Sequence, residues 1–204
     1  MKSIMEETIS LLIAKDAVFS EIVKLYGEPG FVTRPPGFES LCKIILEQQV
    51  SLESARASFN KLKSLMGNFT PQNIIEVTDL EFRECGVSRQ KTSYLRALAE
   101  TVLDGTLNFD SFATKHPDEV RQELLRVKGI GNWTVDVYLM FCLQSPDILP
   151  LGDIGIVSAI KDVWGFTAIN DMLEHSKTWS PYRTTAAFFL WHYYLEKRGR
   201  KFPH

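Results

Sequence analysis

Cysteine is scarce: three thiols, Cys42, Cys85 and Cys142, lie far apart in 204 residues. That spacing supplies neither a disulfide framework nor a metal-ligand set, and each falls in a helical pattern where a buried free thiol is expected. Long apolar runs are also missing. None approaches the roughly 20 residues that a membrane-spanning helix needs, and Met1-Lys2-Ser3-Ile4-Met5-Glu6-Glu7 lacks the apolar core and cleavage site of a signal peptide. A strong charge excess is absent: 23 Lys and Arg against 25 Asp and Glu leave a net charge of −2, which speaks against a non-specific polyanion-binding coat. Four histidines, His116, His175, His192 and His204, form no metal or triad spacing. No stretch alternates strictly enough to be a strand. These absences point to a soluble intracellular chain, all-α, with 45% hydrophobic residues to build its interior.

What is present is a series of helical patterns with identifiable ends. Residues 4–26 repeat apolar side chains at helical spacing up to Gly27 and Pro29. After the breaker Arg34-Pro35-Pro36-Gly37, residues 38–66 hold one or two helices. Thr70-Pro71 caps a short helix to Val77, Thr78-Asp79-Leu80-Glu81 is a capping box for one ending at Gly86, and Ser88 caps a helix through Val102. Further helices are expected from Pro117, over 132–143, 153–163 and 170–175, and from Ser180-Pro181 to Lys197. The best crossings between two lobes are 31–37 and 105–117.

One passage reads as chemistry. An apolar helical stretch ends at Val127, the chain turns through Gly129-Ile130-Gly131, and a second apolar helix starts near Asn132. The turn's backbone N–H groups beside a helix N-terminus suit a phosphate, since amides and dipole both favour an anion. Lys128 and Thr134 complete that candidate phosphate set, although a tight helix–helix turn would also want both glycines. Asp153 stands 22 residues beyond Gly131, at the end of Leu149-Pro150-Leu151-Gly152 and the start of another helical pattern. As an Asp before a helix it is also a good N-cap.

The order of hairpin, Trp133 and Pro-Leu-Gly-Asp loop resembles the helix-hairpin-helix DNA glycosylases. Three further blocks carry the resemblance: Ile45-Leu46-Glu47-Gln48-Gln49-Val50-Ser51, Cys85-Gly86-Val87-Ser88-Arg89-Gln90-Lys91 through Leu95, and Trp179-Ser180-Pro181-Tyr182-Arg183 with Leu190-Trp191. The last block is similar to the 3-methyladenine DNA glycosylase II branch, without the β-rich N-terminal domain of its longer members. The matches run from about residue 38 to 195.

The resemblance implies an all-α fold of two lobes over 1–204, one at about 35–110, the other made of the N-terminal helix with about 111–204. It implies a monofunctional enzyme, acting as a monomer on double-stranded DNA, that flips alkylated purines of the 3-methyladenine or 7-methylguanine type and hydrolyses the glycosidic bond. The expected location is the cytoplasm, near the nucleoid, or the nucleus in a eukaryote. Asp153 is the catalytic carboxylate. Trp133, Tyr138 and Trp191 are candidate pocket walls, against a background of thirteen Phe, six Tyr and four Trp of which most are core. Gln48 and Gln49 are either the wedge that fills the gap left by a flipped base or two glutamines at a solvated helix end, and Lys128, Gly129, Ile130, Gly131 and Thr134 hold phosphate. No cofactor and no protein metal site is expected; hairpins of this type often hold a monovalent cation on turn carbonyls. The lyase Lys of the bifunctional branch is replaced by Trp133, whose indole is no amine nucleophile. Arg183 either braces the last helix or touches DNA, and the basic run Lys197-Arg198-Gly199-Arg200-Lys201 reads as a solvated helix end. Two other readings stay open: a glycosylase for a neutral lesion such as uracil, hypoxanthine or an oxidised purine, and a non-catalytic DNA-binding hairpin protein.

Overall fold

A computed structural model describes residues 4–201; Met1-Lys2-Ser3 of the leader reading and His204 lie outside the described residues. Among those described there is no strand, and twelve α-helices carry the fold. The contacts form two compact units, one of residues up to Thr33 with those from Gln144 onward, the other Arg34–Leu143.

In the first unit, the pattern over 4–26 is two helices rather than one: α1 (Ile4–Lys15) and α2 (Val18–Tyr26). The break is made by Asp16. Its Oδ1 accepts from the Val18 N–H, while Oδ2 accepts from Trp179 Nε1 at 3.0 Å and lies 3.3 Å from His175 Nε2.

The second unit begins with α3 (Phe38–Glu47) and α4 (Leu52–Met66), separated by a turn and the Ser51 cap. The short helices α5 (Pro71–Glu76) and α6 (Asp79–Glu84) start at Thr70 and Thr78, the latter a complete capping box. Ser88 caps α7 (Arg89–Leu103). Residues 105–117 are not a crossing. They contain a 3-10 helix, Phe109–Thr114, whose Phe109 and Phe112 rings pack on Tyr138. That packing keeps α8 (Pro117–Leu125) and α9 (Asn132–Phe141) with residues 34–103, so the second break falls at 143–144 instead of near residue 110. His116, given no role from sequence, caps α8: its N–H donates to Glu119 and its Nδ1 accepts from Asp118. Every residue of α9 from Thr134 to Phe141 is buried, so this is a central helix without a solvent stripe.

The chain then returns to the first unit with α10 (Ile154–Trp164), α11 (Ile169–Ser176) and α12 (Arg183–Glu196). A 3-10 turn at Lys177–Trp179 delays α12 by two residues past the expected Pro181 start. α12 packs on α10, α1 and α2 and buries Thr184 through Trp191. Trp179 is fully buried, packs edge-on against Phe19 and His175 and lies tilted against Trp164. All three cysteines are buried free thiols; burial pushes Cys42 and Cys85 up and Cys142 to about 12.

Candidate active site and nucleic-acid interface

The hairpin turn is built as its sequence suggests. α8 ends as Val127 N–H donates to Leu124 O, and Ile130 N–H donates to Val127 O at 3.1 Å. Gly129 sits at φ +88, and a Cβ there would lie 2.1 Å from the Tyr94 ring. Both the left-handed backbone and the aromatic face against it demand glycine. Gly131 is the N-cap of α9 and brings no capping side chain. It is exposed, as are Lys128 and Asn132, so the turn presents backbone and a lysine where the positive end of the α9 dipole emerges. Arg121 of α8 braces this geometry, reaching Asn132 and forming an ion pair with the buried Asp136 of α9. Two side chains of the expected phosphate set are turned inward. The Ile130 side chain is buried, and Thr134 is only 2% exposed.

The Thr134 hydroxyl is engaged from α3. Gln48 Nε2 donates to Gly129 O at 2.9 Å and to Thr134 Oγ1 at 2.8 Å. Gln48 is therefore committed to the hairpin and is no wedge. Gln49, the next residue, is exposed and adopts φ +54, a conformation uncommon outside glycine. Its neighbours on the N-terminal side are each fastened: Lys91 Nζ donates to Leu46 O at 2.6 Å, and Arg34 grips Glu47 with two 2.9 Å bonds. The segment Gly86 to Leu95 thus has a physical account. Gly86 (φ +81) ends α6, Ser88 starts α7, and Lys91 ties α7 to the C-terminal end of α3.

Tyr138 is not a pocket wall. It is fully buried, its ring against Phe109 and Phe112, and its hydroxyl accepts from the Gly37 N–H at 2.9 Å. Burial drives its phenol well above the ordinary range. Trp133, in the first turn of α9, is partly exposed.

In the other unit, Asp153 caps α10. Its Oδ1 accepts from Gly155 N at 2.8 Å, Ile156 N at 3.2 Å and Trp191 Nε1 at 2.9 Å. Gly155 is closely packed: a Cβ would lie 3.1 Å from Asp153 Oδ1 and 3.2 Å from Tyr194, so a larger side chain would press on the carboxylate. Trp191 is 8% exposed and packs edge-on to Phe188. Three N–H donors converging on one oxygen fix the carboxylate in position and orientation.

The loop leading to Asp153 is held by the start of α12. Arg183 Nε and Nη2 each donate to an Asp147 oxygen at 2.8 Å, and Ser180 Oγ donates to the same carboxylate. Thr184 Oγ1 donates to Ser145 O at 2.6 Å and accepts from Ile148 N. Burial raises the Asp147 pKa, but the bonds from Arg183 and Ser180 outweigh it and hold the carboxyl below its ordinary value. Arg183 is accordingly a brace. Asp147 was missed from sequence because nothing marks a carboxylate 36 residues before its partner.

Among the described residues no group of three or more His, Cys, Asp or Glu is arranged to hold a metal, and no helix is long and apolar enough to cross a membrane.

With this geometry in view, known proteins are informative. Residues 42–183 match the model of the HhH-GPD superfamily base excision DNA repair proteins. The DNA-3-methyladenine glycosylase 1 of Schizosaccharomyces pombe is 31% identical over 186 residues, 86% of this chain and 82% of that one. A crystal structure of a DNA-3-methyladenine glycosidase from Bacillus halodurans superposes with a TM-score of 0.80 at 31% identity, covering 98% of this chain and 93% of the other. The S. pombe 3-methyladenine DNA glycosylase in complex with abasic DNA gives 0.83 at 29% identity, with 91% and 95% covered. An all-α chain with this hairpin, and relatives matched along most of their length, is a member of the HhH-GPD superfamily of base excision DNA repair proteins.

Proposed function

We propose that this chain is a DNA glycosylase that removes alkylated purines, of the 3-methyladenine and 7-methylguanine type, from double-stranded DNA. The observation carrying this reading is Asp153, a carboxylate with Oδ1 pinned by Gly155, Ile156 and Trp191, in a chain whose relatives bear the name DNA-3-methyladenine glycosylase. Breaking the glycosidic bond leaves positive charge on the sugar. A fixed carboxylate stabilises that charge in the transition state and orients the attacking water. Purines alkylated at a ring nitrogen are already cationic and leave without protonation, so selection falls to aromatic faces that favour flat cations; Trp133 and Trp191 are each proposed as such a face. The hairpin backbone with Lys128 takes a DNA phosphate, and Gln49 enters the base stack. Trp133 stands where a lyase needs an amine, so the products are free base and an intact abasic strand. No cofactor is required. Val127 O and Gly129 O each accept one N–H and a carbonyl keeps a second lone pair. Those lone pairs are the acceptors proposed for a monovalent cation, which would add positive charge towards a phosphate.

The test is base release from methylated duplex DNA by the wild type and by Asp153→Asn, with freed bases resolved by chromatography. Asparagine still caps a helix, so the variant isolates the charge; release should fall on the order of a hundredfold or more. No methylpurine release by the wild type would sink the alkylated-purine reading. Release of a neutral base, or duplex binding without any release, would point to the two other readings.

A further inference from the structure

Two surfaces assigned to DNA, the exposed Gln49 and the hairpin turn, are joined by one side chain. The end of α3 and the turn after it are fastened residue by residue: Leu46 by Lys91, Glu47 by Arg34, and Gln48 by Gly129 O and Thr134 Oγ1. Fastening stops at Gln49, which is exposed at φ +54, beside Val50 at 46% exposure. A left-handed non-glycine residue is held there by its surroundings. Gln48 suits the linkage chemically, since its amide has two N–H donors and the structure gives each a separate acceptor. One acceptor is the carbonyl of the hairpin glycine, and the other is a hydroxyl on the first turn of the helix that glycine precedes.

We infer that Gln48 is a positioning residue that sets Gln49 in register with the hairpin, so that docking of the hairpin on a backbone phosphate fixes which base step Gln49 enters. The inference rests on the glycosylase reading. Gln48 itself touches no DNA; it acts through Gln49. A side chain that entered the stack from an unregistered turn would lose the orientation that makes insertion productive, while the phosphate contact would persist.

The experiment uses the full chain and a duplex holding a tetrahydrofuran abasic-site analogue beside 2-aminopurine, whose fluorescence reports unstacking. Affinity for this duplex is measured together with single-turnover base release from methylated DNA. Gln48→Met keeps the length and loses both donors. It should bind within about threefold of the wild type, lose most of the fluorescence response and release base at least about tenfold more slowly. Thr134→Val, which removes one acceptor at constant shape, should move the same way. Thr134→Ser, which restores the oxygen, should behave as wild type, and Gln48→Met/Thr134→Val should be no worse than Gln48→Met. Because Thr134→Val differs from the wild type only by a methyl in place of the hydroxyl, and Thr134→Ser keeps that hydroxyl, the two together decide the matter even if Gln48→Met unfolds. Wild-type fluorescence and release in Gln48→Met or Thr134→Val would overturn the inference, as would equal impairment in Thr134→Ser. A Gln49→Ala variant with an unchanged fluorescence response would overturn the assignment of Gln49, and the inference with it. Absence of base release from the wild type would instead overturn the enzymatic reading on which the inference rests.

Discussion

The Trp191 indole N–H lies 2.9 Å from Asp153 Oδ1, the same oxygen that caps α10. Trp191→Phe keeps a ring against Phe188 and removes that one donor. A hydrogen bond to a charged group contributes roughly 1.5–3 kcal/mol, so the single-turnover rate of base release should fall about ten- to a hundredfold, with duplex affinity little changed. Weaker binding at an unchanged rate would make Trp191 a binding wall without an orienting role. Gly129 supports a different expectation, about stability. At φ +88 and with the Tyr94 ring in the way of a Cβ, Gly129→Ala combines a disfavoured backbone with overpacking. It should lower the unfolding free energy by about 1–3 kcal/mol in urea titrations. Asp153 and Gly129 were both readable from sequence, because cap, turn and glycine chemistry are local. Gln48 and Thr134 were assigned to DNA instead of to each other, since a contact across 86 positions leaves no local mark.

At the level of elements, ends written in caps are found as expected: Thr70, Thr78, Ser88 and Asp153 each start a helix. The break at Asp16 escaped the reading because the apolar period runs through it while Trp179 and His175, distant in sequence, hold the carboxylate that makes it. The start of α12 escaped similarly, since Arg183 and Thr184 at that start are tied to the loop 145–148, distant in sequence. That grip makes a prediction about acid. The Asp147 carboxyl is held below its ordinary value in the folded chain, and its unfolded value is about 3.9. Its stabilising contribution is therefore complete above about pH 4 and is lost as pH falls through the lower folded value. Asp147→Asn should be less stable than wild type at pH 7, and the gap in urea midpoint should narrow steadily below about pH 4. A gap of constant size across that window would mean that the ion pair is not what anchors the loop.

For the molecule as a whole, the contacts divide the chain at 33–34 and 143–144, a division that helical patterns do not give, because they say where a helix lies and little about which neighbours it chooses. Tyr138, with the 3-10 helix Phe109–Thr114 packed on it, is what assigns the hairpin to residues 34–143. The near-neutral charge has its own consequence. On the proposed reading, a chain of net charge −2 that meets DNA through a hairpin backbone and a few cations neutralises few phosphates. Each phosphate neutralised contributes about −0.9 to the slope of log affinity against log salt, so two to four contacts give a slope of roughly −2 to −4. Anisotropy titrations on undamaged duplex between about 50 and 200 mM salt measure this directly. Lys128 is exposed at the hairpin, so Lys128→Gln should reduce the slope by about one and weaken binding to all sequences alike. A slope steeper than about −6 would mean that a wider basic surface than the hairpin carries the affinity, and an unchanged slope in Lys128→Gln would take that lysine out of the phosphate contact.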